Sequence, residues 1–145
     1  MGGKFKGNAI GEDEILILVD TSVWIDFFAG ANKKHAIALE RILNENENVC
    51  TCGLIMAEIL QGIRPDSDFI RTENALKKLT YLAFNQEIFI KAAAIYRFLR
   101  KKGITLQSPI DCIIASLAIH YKVQLLHNDR DFDLITKHTS LLVIS

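Results

Sequence analysis

The chain has 145 residues, half of them apolar, with 17 basic and 17 acidic residues and a formal net charge of zero. This size and composition predict one globular domain with a single core and exclude a disordered chain. A neutral chain has no bulk electrostatic attraction to nucleic acid or to a membrane surface, so any such binding must come from a local patch. No apolar run approaches the about 20 residues of a membrane span, and no membrane association is expected.

The N-terminal residues 1–14 are rich in Gly, Lys and acidic residues and show no periodicity. We interpret them as a flexible leader without signal-peptide character, followed by a domain over residues 15–145. Three cysteines, Cys50, Cys52 and Cys112, match no zinc-binding spacing. They are expected to be small buried side chains of a protein in the reducing cytoplasm.

The first predicted element is a strand, Ile15–Val19, whose unbroken apolar run suits a parallel strand covered on both faces. Helices are predicted from about Thr21, over Asn32–Asn44 with a broad apolar face that includes Ile37, and over Gly53–Gln61. The other predicted elements are strands at Val49–Cys52, Tyr81–Phe84, Val123–Leu126 and Leu141–Ile144, and helices from Ser67 or Asp68 to Lys78, from an Asn85 cap to Lys102, from a Ser108 cap to Tyr121 and over Asp129–Lys137. This alternation predicts a three-layer α/β/α fold around a mostly parallel sheet.

Asp20 directly follows the first predicted strand. Ligands of open α/β sheets bind at the carboxyl ends of the strands, so Asp20 is a candidate site residue. Asp is also a preferred helix N-cap, and a helix is expected to start at Thr21. The residue by itself favours neither interpretation.

Two further acidic residues stand in apolar sequence. Glu58 shares a predicted helical face with Leu54 and Ile55, where an unpaired carboxylate costs several kcal/mol. Asp111 lies in the first turn of a predicted helix whose face continues through Ile114, Ala115 and Ala118. A solvent-exposed helix edge and a capping role are the respective structural alternatives.

A fourth acidic segment, Asp129 and Asp131, follows the strand that is predicted to end at Leu126. One of the two carboxylates is expected to be structural, as a helix cap. If the strands are parallel, all of these acidic residues meet at one end of the sheet, where like charges repel. A divalent cation relieves that repulsion, and carboxylate ligands favour Mg²⁺ or Mn²⁺ and a phosphoester substrate.

Four short motifs in this order and spacing resemble the PIN domain, and more closely the VapC-type toxins of bacterial toxin–antitoxin pairs. They are Val-Asp-Thr-Ser at 19–22, Glu58 with Gly62, Ser-Pro-Ile-Asp-Cys-Ile-Ile-Ala at 108–115 and Leu-Leu-His-Asn-Asp-Arg-Asp-Phe at 125–132. The resemblance covers residues 15–145. It implies a Mg²⁺- or Mn²⁺-dependent ribonuclease that hydrolyses RNA phosphodiester bonds, pairs as a homodimer and is held inactive by a cognate antitoxin.

The resemblance also implies roles for particular residues. Asp20, Glu58, Asp111 and Asp129 take the catalytic and metal-binding positions, with Asp131 as a further metal ligand. Other side chains receive supporting or contact roles: Thr21 and Ser22 beside Asp20, Arg100, Lys101, Lys102 and Arg130 as RNA contacts, and Trp24, Phe27, Phe28 and Ile63 as partner surfaces. A helix C-terminus and a solvated loop also explain the basic residues, and core packing also explains the apolar ones. His127 stands where the family often has Thr; of an RNA contact and an ordinary loop histidine, we favour the ordinary loop histidine.

Two other enzyme and signalling folds bind Mg²⁺ through acidic residues, and both fit poorly. A receiver-like domain needs adjacent acids after the first strand, but Thr21 follows Asp20. A haloacid-dehalogenase-type phosphatase needs an acid two residues after its nucleophilic Asp, where this chain has Ser22. A PIN-like module that binds RNA or protein without cleavage remains the alternative to a ribonuclease.

Overall fold

The computed structural model describes residues 16–45 and 47–144, so the predicted leader, residues 1–14, lies outside the described residues, as does Ile15. Within those residues a five-stranded sheet is flanked by seven helices, which confirms the predicted α/β/α fold. No helix in the described ranges is long and apolar enough to cross a membrane.

Every strand pairing in the described sheet is parallel. The strands are β1 (Leu16–Val19), β2 (Asn48–Thr51), β3 (Thr80–Tyr81), β4 (Gln124–Leu126) and β5 (Leu142–Val143), in the spatial order β3-β2-β1-β4-β5. The third strand was predicted to run to Phe84 but ends at Tyr81. Its partner β2 ends at Thr51, opposite Tyr81, and so offers no further strand residue to pair with.

The helices match the predicted ones in number and order. They are α1 (Thr21–Phe28), α2 (Lys34–Asn44), α3 (Gly53–Leu60), α4 (Asp66–Lys77), α5 (Gln86–Lys101), α6 (Ile110–Tyr121) and α7 (Arg130–Thr136). Four helix starts differ from the predicted ones. Helix α2 begins at Lys34 instead of Asn32, and helix α7 begins at Arg130 after an Asp129 cap. Helix α4 begins at Asp66, after an extended Pro65, so that Asp66 and Asp68 lie in its first turn, where acidic residues are favoured. Helix α6 begins at Ile110 after Pro109, although the Ser108 hydroxyl still accepts a hydrogen bond from the Ile110 N–H at 3.2 Å.

Other local signals in the sequence have the predicted structural effect. The Asn85 side chain caps α5 by accepting a hydrogen bond from the Ile88 N–H at 2.9 Å. Gly103 follows that helix with a φ of +81°, a conformation that glycine adopts without strain. Cys50, Cys52 and Cys112 are free and buried, as predicted.

The core lies on both faces of β1, whose four residues are at most 7% exposed. Ile114, Ala115 and Ala118 of α6 are also buried, as predicted from the face that they share with Asp111. The predicted apolar face of α2 was too broad, because Ile37 is 52% exposed while Ala36, Leu39 and Ile42 of the same helix are buried.

The strand order places a crevice at the end of the central strands. From β1 the chain builds β2 and β3 on one side, and later β4 and β5 on the other. Ligands of doubly wound sheets bind outside the carboxyl ends of strands where the order reverses in this way. Val19 and Leu126 end their strands side by side, and the Asp20 N–H donates to the Leu126 carbonyl at 2.9 Å.

Candidate metal centre

Asp20 has both of the functions that the sequence left open. Its Oδ2 accepts hydrogen bonds from the Ser22 N–H at 3.1 Å and from the Ser22 hydroxyl at 2.6 Å, so it caps α1. It is also only 6% exposed, and it lies near enough to Asp129 for the two charges to interact. Burial raises the pKa of Asp20 above 3.8, against the opposing effect of the Ser22 hydrogen bonds.

Asp111 is the most unusual carboxyl group in the site. It is 8% exposed, and its Oδ2 is buried without a hydrogen-bond partner in the described structure. The pKa of Asp111 is raised from 3.8 to about 8, first by burial, followed by the charge of Asp129, a side-chain hydrogen bond with Asp129, and the charges of Asp20 and Asp131. A buried polar oxygen without a partner is costly, so this arrangement is explained by a ligand more readily than by stability.

The segment after β4 contributes the other two carboxylates. Asp129 is half-buried and caps α7, and its Oδ1 accepts the Asp131 N–H at 2.9 Å. Asp131 is 1% exposed, and its Oδ2 accepts the backbone N–H groups of Gln107 at 2.8 Å and Ser108 at 3.3 Å. Asp131 therefore anchors the segment that leads into α6, a structural function that agrees with the expectation for one of these two acids.

Three of the predicted metal ligands lie together. Asp111, Asp129 and Asp131 each offer a carboxylate oxygen, and these atoms lie within 4.8 Å of one another. The donor set is oxygen alone, which suits Mg²⁺ or Mn²⁺. The Oδ2 of Asp111 is buried without a hydrogen-bond partner, and a cation would supply the interaction that this atom lacks. The three carboxylates therefore fit a cation site.

Glu58 approaches the site from the other side, through Thr21. The Thr21 hydroxyl donates to the Glu58 Oε1 at 2.8 Å, which ties α3 to the first residue of α1, next to Asp20. Thr21 is buried and Glu58 is half-buried. Glu58 therefore does not lie on a fully exposed helix edge, which was the structural alternative for this residue. The residue stands beside the three-carboxylate group and is not part of it.

Asn128 and His127, to which the sequence assigned no function in the site, hold the segment after β4 in place. The Ser22 hydroxyl accepts the Asn128 N–H at 3.1 Å, and the Asn128 side chain donates to Asp26 at 3.1 Å. His127 is 5% exposed, and its Nδ1 accepts the Asp129 N–H at 3.1 Å, so it is not an ordinary loop histidine. Burial lowers the pKa of His127 below 6.5, while the nearby Asp133 acts in the opposite direction.

The predicted RNA-contacting residues lie in two places. Arg100 and Lys102, at the end of α5, lie over the rings of Tyr96 at 5.6 Å and Phe98 at 5.0 Å. Arg130, with Asp129, lines a cavity of ≈ 410 Å³ beside the metal-ligand candidates. Arg130 thus shares a cavity with an acidic residue of the cluster, whereas Arg100 and Lys102 pack on aromatic rings of α5.

The residues predicted to form partner surfaces lie partly in the core and partly on the surface. Trp24 is 4% exposed and belongs to the core, as the packing alternative expected. Phe28 is 49% exposed and stacks on Trp24 with ring centroids 5.6 Å apart. Phe28 and Ile63 line a groove of ≈ 640 Å³ that extends to Glu58.

Comparison with known proteins gives matches along most of the chain. Residues 17–137 match the PIN domain family. The chain is similar to Ribonuclease VapC11 of Mycobacterium tuberculosis, with 36% identity over 132 residues that cover 90% of this chain and 98% of the relative.

Solved structures match the fold. One is VapBC2 from Rickettsia felis bound to a DNA fragment from its promoter, with a TM-score of 0.70, 17% identity and coverage of 90% of this chain and 98% of that chain. Another is a toxin–antitoxin complex from Klebsiella pneumoniae, with a TM-score of 0.66, 21% identity and coverage of 89% and 96%. Identities this low support the fold alone.

Proposed function

The chain belongs to the PIN domain family, and from that premise we propose that it is a Mg²⁺-dependent endoribonuclease and the toxin of a toxin–antitoxin pair. The observation that carries the proposal is the buried group of Asp111, Asp129 and Asp131, with an Asp111 oxygen that lacks a partner. The similarity to a named VapC ribonuclease over nearly the whole chain supports RNA as the substrate. The buried free cysteines are compatible with the cytoplasm as its location.

Asp111, Asp129 and Asp131, with Asp20 beside them, would hold a divalent cation, which would supply Lewis-acid chemistry for phosphodiester hydrolysis by water. Asp111 must be deprotonated to act as a ligand, so with a pKa of about 8 it releases a proton on cation binding. Mn²⁺ has the same preference for oxygen ligands and is expected to substitute for Mg²⁺.

The remaining polar side chains orient the carboxylates. Ser22 fixes the Asp20 carboxylate through two hydrogen bonds and holds the Asn128 backbone through a third. Thr21 orients Glu58, whose carboxylate borders both the site and the apolar groove. Glu58 is thereby placed to accept a proton or a hydrogen bond from water or from the ribose of a bound RNA.

The test is RNA cleavage by the purified chain with Mg²⁺, with EDTA and by the Asp20→Asn variant. Asn is as good an N-cap as Asp and can still accept from Ser22, so this variant removes the charge and keeps the cap. We expect cleavage that requires Mg²⁺ and is lost in the variant at an unchanged melting temperature. RNA binding without cleavage by the unaltered chain would favour the inert PIN-like module instead, and full activity in EDTA would contradict metal dependence.

A partner surface is supported by the groove beside the site. Ile25, Phe28, Ile59 and Ile63 give it an apolar lining, and it ends at Glu58. An apolar segment of a cognate antitoxin seated there would cover the approach to the acidic residues. We expect the product of an adjacent gene to bind the chain and stop cleavage, and Phe28→Asp to weaken that binding while RNA cleavage persists.

A homodimer is supported by the exposed apolar side chains of α5. Phe89, Ile90 and Phe98 are 46%, 68% and 45% exposed. Ile90 is at the centre of the exposed face of α5, opposite the buried Ile88 and Leu99. Phe89 and Phe98 flank this face. Exposed apolar side chains of this size are typical of interfaces. We expect sedimentation to give a dimer that Ile90→Lys converts to monomer. The matched control is Ile37→Lys on α2, where a similarly exposed side chain stands outside this face.

A further inference from the structure

His127 is the first residue after β4, and it is buried beside the acidic site. Its ring packs against Phe132 with centroids 5.0 Å apart. The Asp129 N–H donates to its Nδ1 at 3.1 Å, so Nδ1 carries no proton. The proton of the neutral ring then resides on Nε2, which faces the Asp133 carboxylate at 3.5 Å.

We propose that His127 is a positioning residue of the metal centre: its Nδ1 fixes the backbone of Asp129 so that the Asp129 carboxylate faces Asp111. The inference rests on the proposed function, because the centre that His127 positions is the cation site assigned there. It gives the residue a structural task that the resemblance does not supply, since the family often has Thr at this position.

The hydrogen-bond pattern around Asp129 explains why this contact matters. A side-chain acceptor that binds the N–H two residues on forms a local turn, as the Oδ1 of Asn or Asp does. Beyond that contact, Asn128 is held by Ser22, and the Asp129 Oδ1 accepts the Asp131 N–H. The Asp129 carbonyl accepts the Phe132 N–H at 3.1 Å as part of the start of α7. The Asp129 N–H, on the side of the preceding loop, is held by His127.

Substitutions can separate the acceptor from the bulk of the ring. In His127→Asn the Oδ1 is bonded to Cγ, as Nδ1 is, so the acceptor is kept at the same distance from the backbone. In His127→Leu a methyl group replaces that acceptor. In His127→Gln the polar atoms lie one bond further out, near the position of Nε2, and the acceptor is lost from the Nδ1 position.

The readout is the binding of Mn²⁺ alone, measured by calorimetry on the full chain, with melting temperatures as a check on folding. Outer groups that orient metal ligands typically contribute about 10- to 100-fold in affinity, so His127→Leu and His127→Gln should weaken Mn²⁺ binding by about that factor. His127→Asn should stay close to the unaltered chain. Asp133→Asn, which alters only the Nε2 side, should also leave Mn²⁺ affinity nearly unchanged.

A second readout needs no metal and no variant. Nitrogen-15 NMR of the metal-free chain reports which ring nitrogen of His127 carries the proton, and we expect Nε2. A proton on Nδ1, equal Mn²⁺ affinity of His127→Leu and the unaltered chain, or an equal loss in His127→Asn and His127→Leu would each overturn this inference and leave the proposed function standing. Failure of the unaltered chain to bind Mn²⁺ or cleave RNA would overturn both.

Discussion

Helix α6 carries two buried polar side chains, one with a hydrogen-bond partner for its polar atom and one with an oxygen that lacks a partner. In its middle, Ser116 is 2% exposed, and its hydroxyl donates to the Ile88 carbonyl of α5 at 2.8 Å. In its first turn, Asp111 is similarly buried, yet its Oδ2 has no partner in the described structure. The first group stabilises the packing of two helices, whereas the second is costly until a ligand arrives.

The difference shows how one helix serves both stability and function. A satisfied buried group contributes to the free energy of unfolding and can be removed only at a cost. A carboxylate held near other carboxylates lowers that free energy unless a ligand binds it. Changes at the two positions should therefore separate activity from stability.

The largest expected effect is on catalysis. Asp111→Asn keeps the shape of the side chain but removes the charge and the full ligand strength of the carboxylate. We expect RNA cleavage to fall by at least about 100-fold, the upper range for groups that only support a ligand. Asn cannot ionise, so the variant avoids the cost of a buried charge, and the metal-free chain should be as stable as before or more stable.

The matched control is Asp66→Asn. Asp66 also lies in the first turn of a helix, α4, but it is exposed. We expect the Asp66→Asn variant to cleave RNA as fast as the unaltered chain. A similar loss of activity in both variants would mean that the helix position, and not the buried site, accounts for the effect.

The next effect is stabilisation by the cation. A ligand that binds only the folded chain stabilises it by about 2.7 kcal/mol at 100 times its dissociation constant. Saturating Mn²⁺ should raise the melting temperature of the unaltered chain and of Ser116→Ala, but not that of Asp111→Asn. An equal rise in Asp111→Asn would place the cation elsewhere.

A smaller effect, on the free energy of unfolding, is expected at Ser116. Ser116→Ala removes one of the two donors to the Ile88 carbonyl, which still accepts the Ala92 N–H within α5. The loss should cost about 0.5–1.5 kcal/mol in the free energy of unfolding by urea. The specific activity of the folded protein should be retained. Ser67→Ala, an exposed serine of α4, controls for the serine-to-alanine change itself.

The fourth prediction concerns pH in the absence of metal. Because the pKa of Asp111 is raised from 3.8 to about 8, the folded chain holds a proton over that interval that the unfolded chain has released. The free energy of unfolding should therefore fall as pH rises from about 4 to 8, and Asp111→Asn should flatten this slope. The raised pKa of Asp20 acts in the same direction. The lowered pKa of His127 acts oppositely, but only below pH 6.5.

Unfolding by urea in EDTA, across that pH interval, measures the slope for both chains. A stability that rises with pH over the whole interval in the unaltered chain would contradict the assigned burial of Asp111. An unchanged slope in Asp111→Asn would assign the titration to another group.

Much of the fold was predictable because its signals are local. The apolar run of β1, the Asn85 cap and the glycine at 103 each determine structure within a few residues. The end of β3 was not predictable in this way, because it depends on where its partner strand stops.

The candidate site was also predictable only in part, because some of its features are local and others depend on distant residues. The acidic residues could be named from their apolar surroundings, and parallel strands could be expected to bring them together. Their hydrogen bonds could not be named, since Asp131 binds backbone groups 23 and 24 residues away, and Thr21 binds Glu58 37 residues away. The function of His127 depends on which ring nitrogen faces the backbone, and residue identity does not specify that orientation.

The central claim is that the buried carboxylates hold a divalent cation. The most direct test is anomalous diffraction from a crystal of the chain grown with Mn²⁺. We expect a manganese peak within coordination distance of Asp111 and Asp129, and no such peak in Asp111→Asn. A well-ordered crystal of the unaltered chain with no manganese at these carboxylates, under conditions in which it cleaves RNA, would contradict the account.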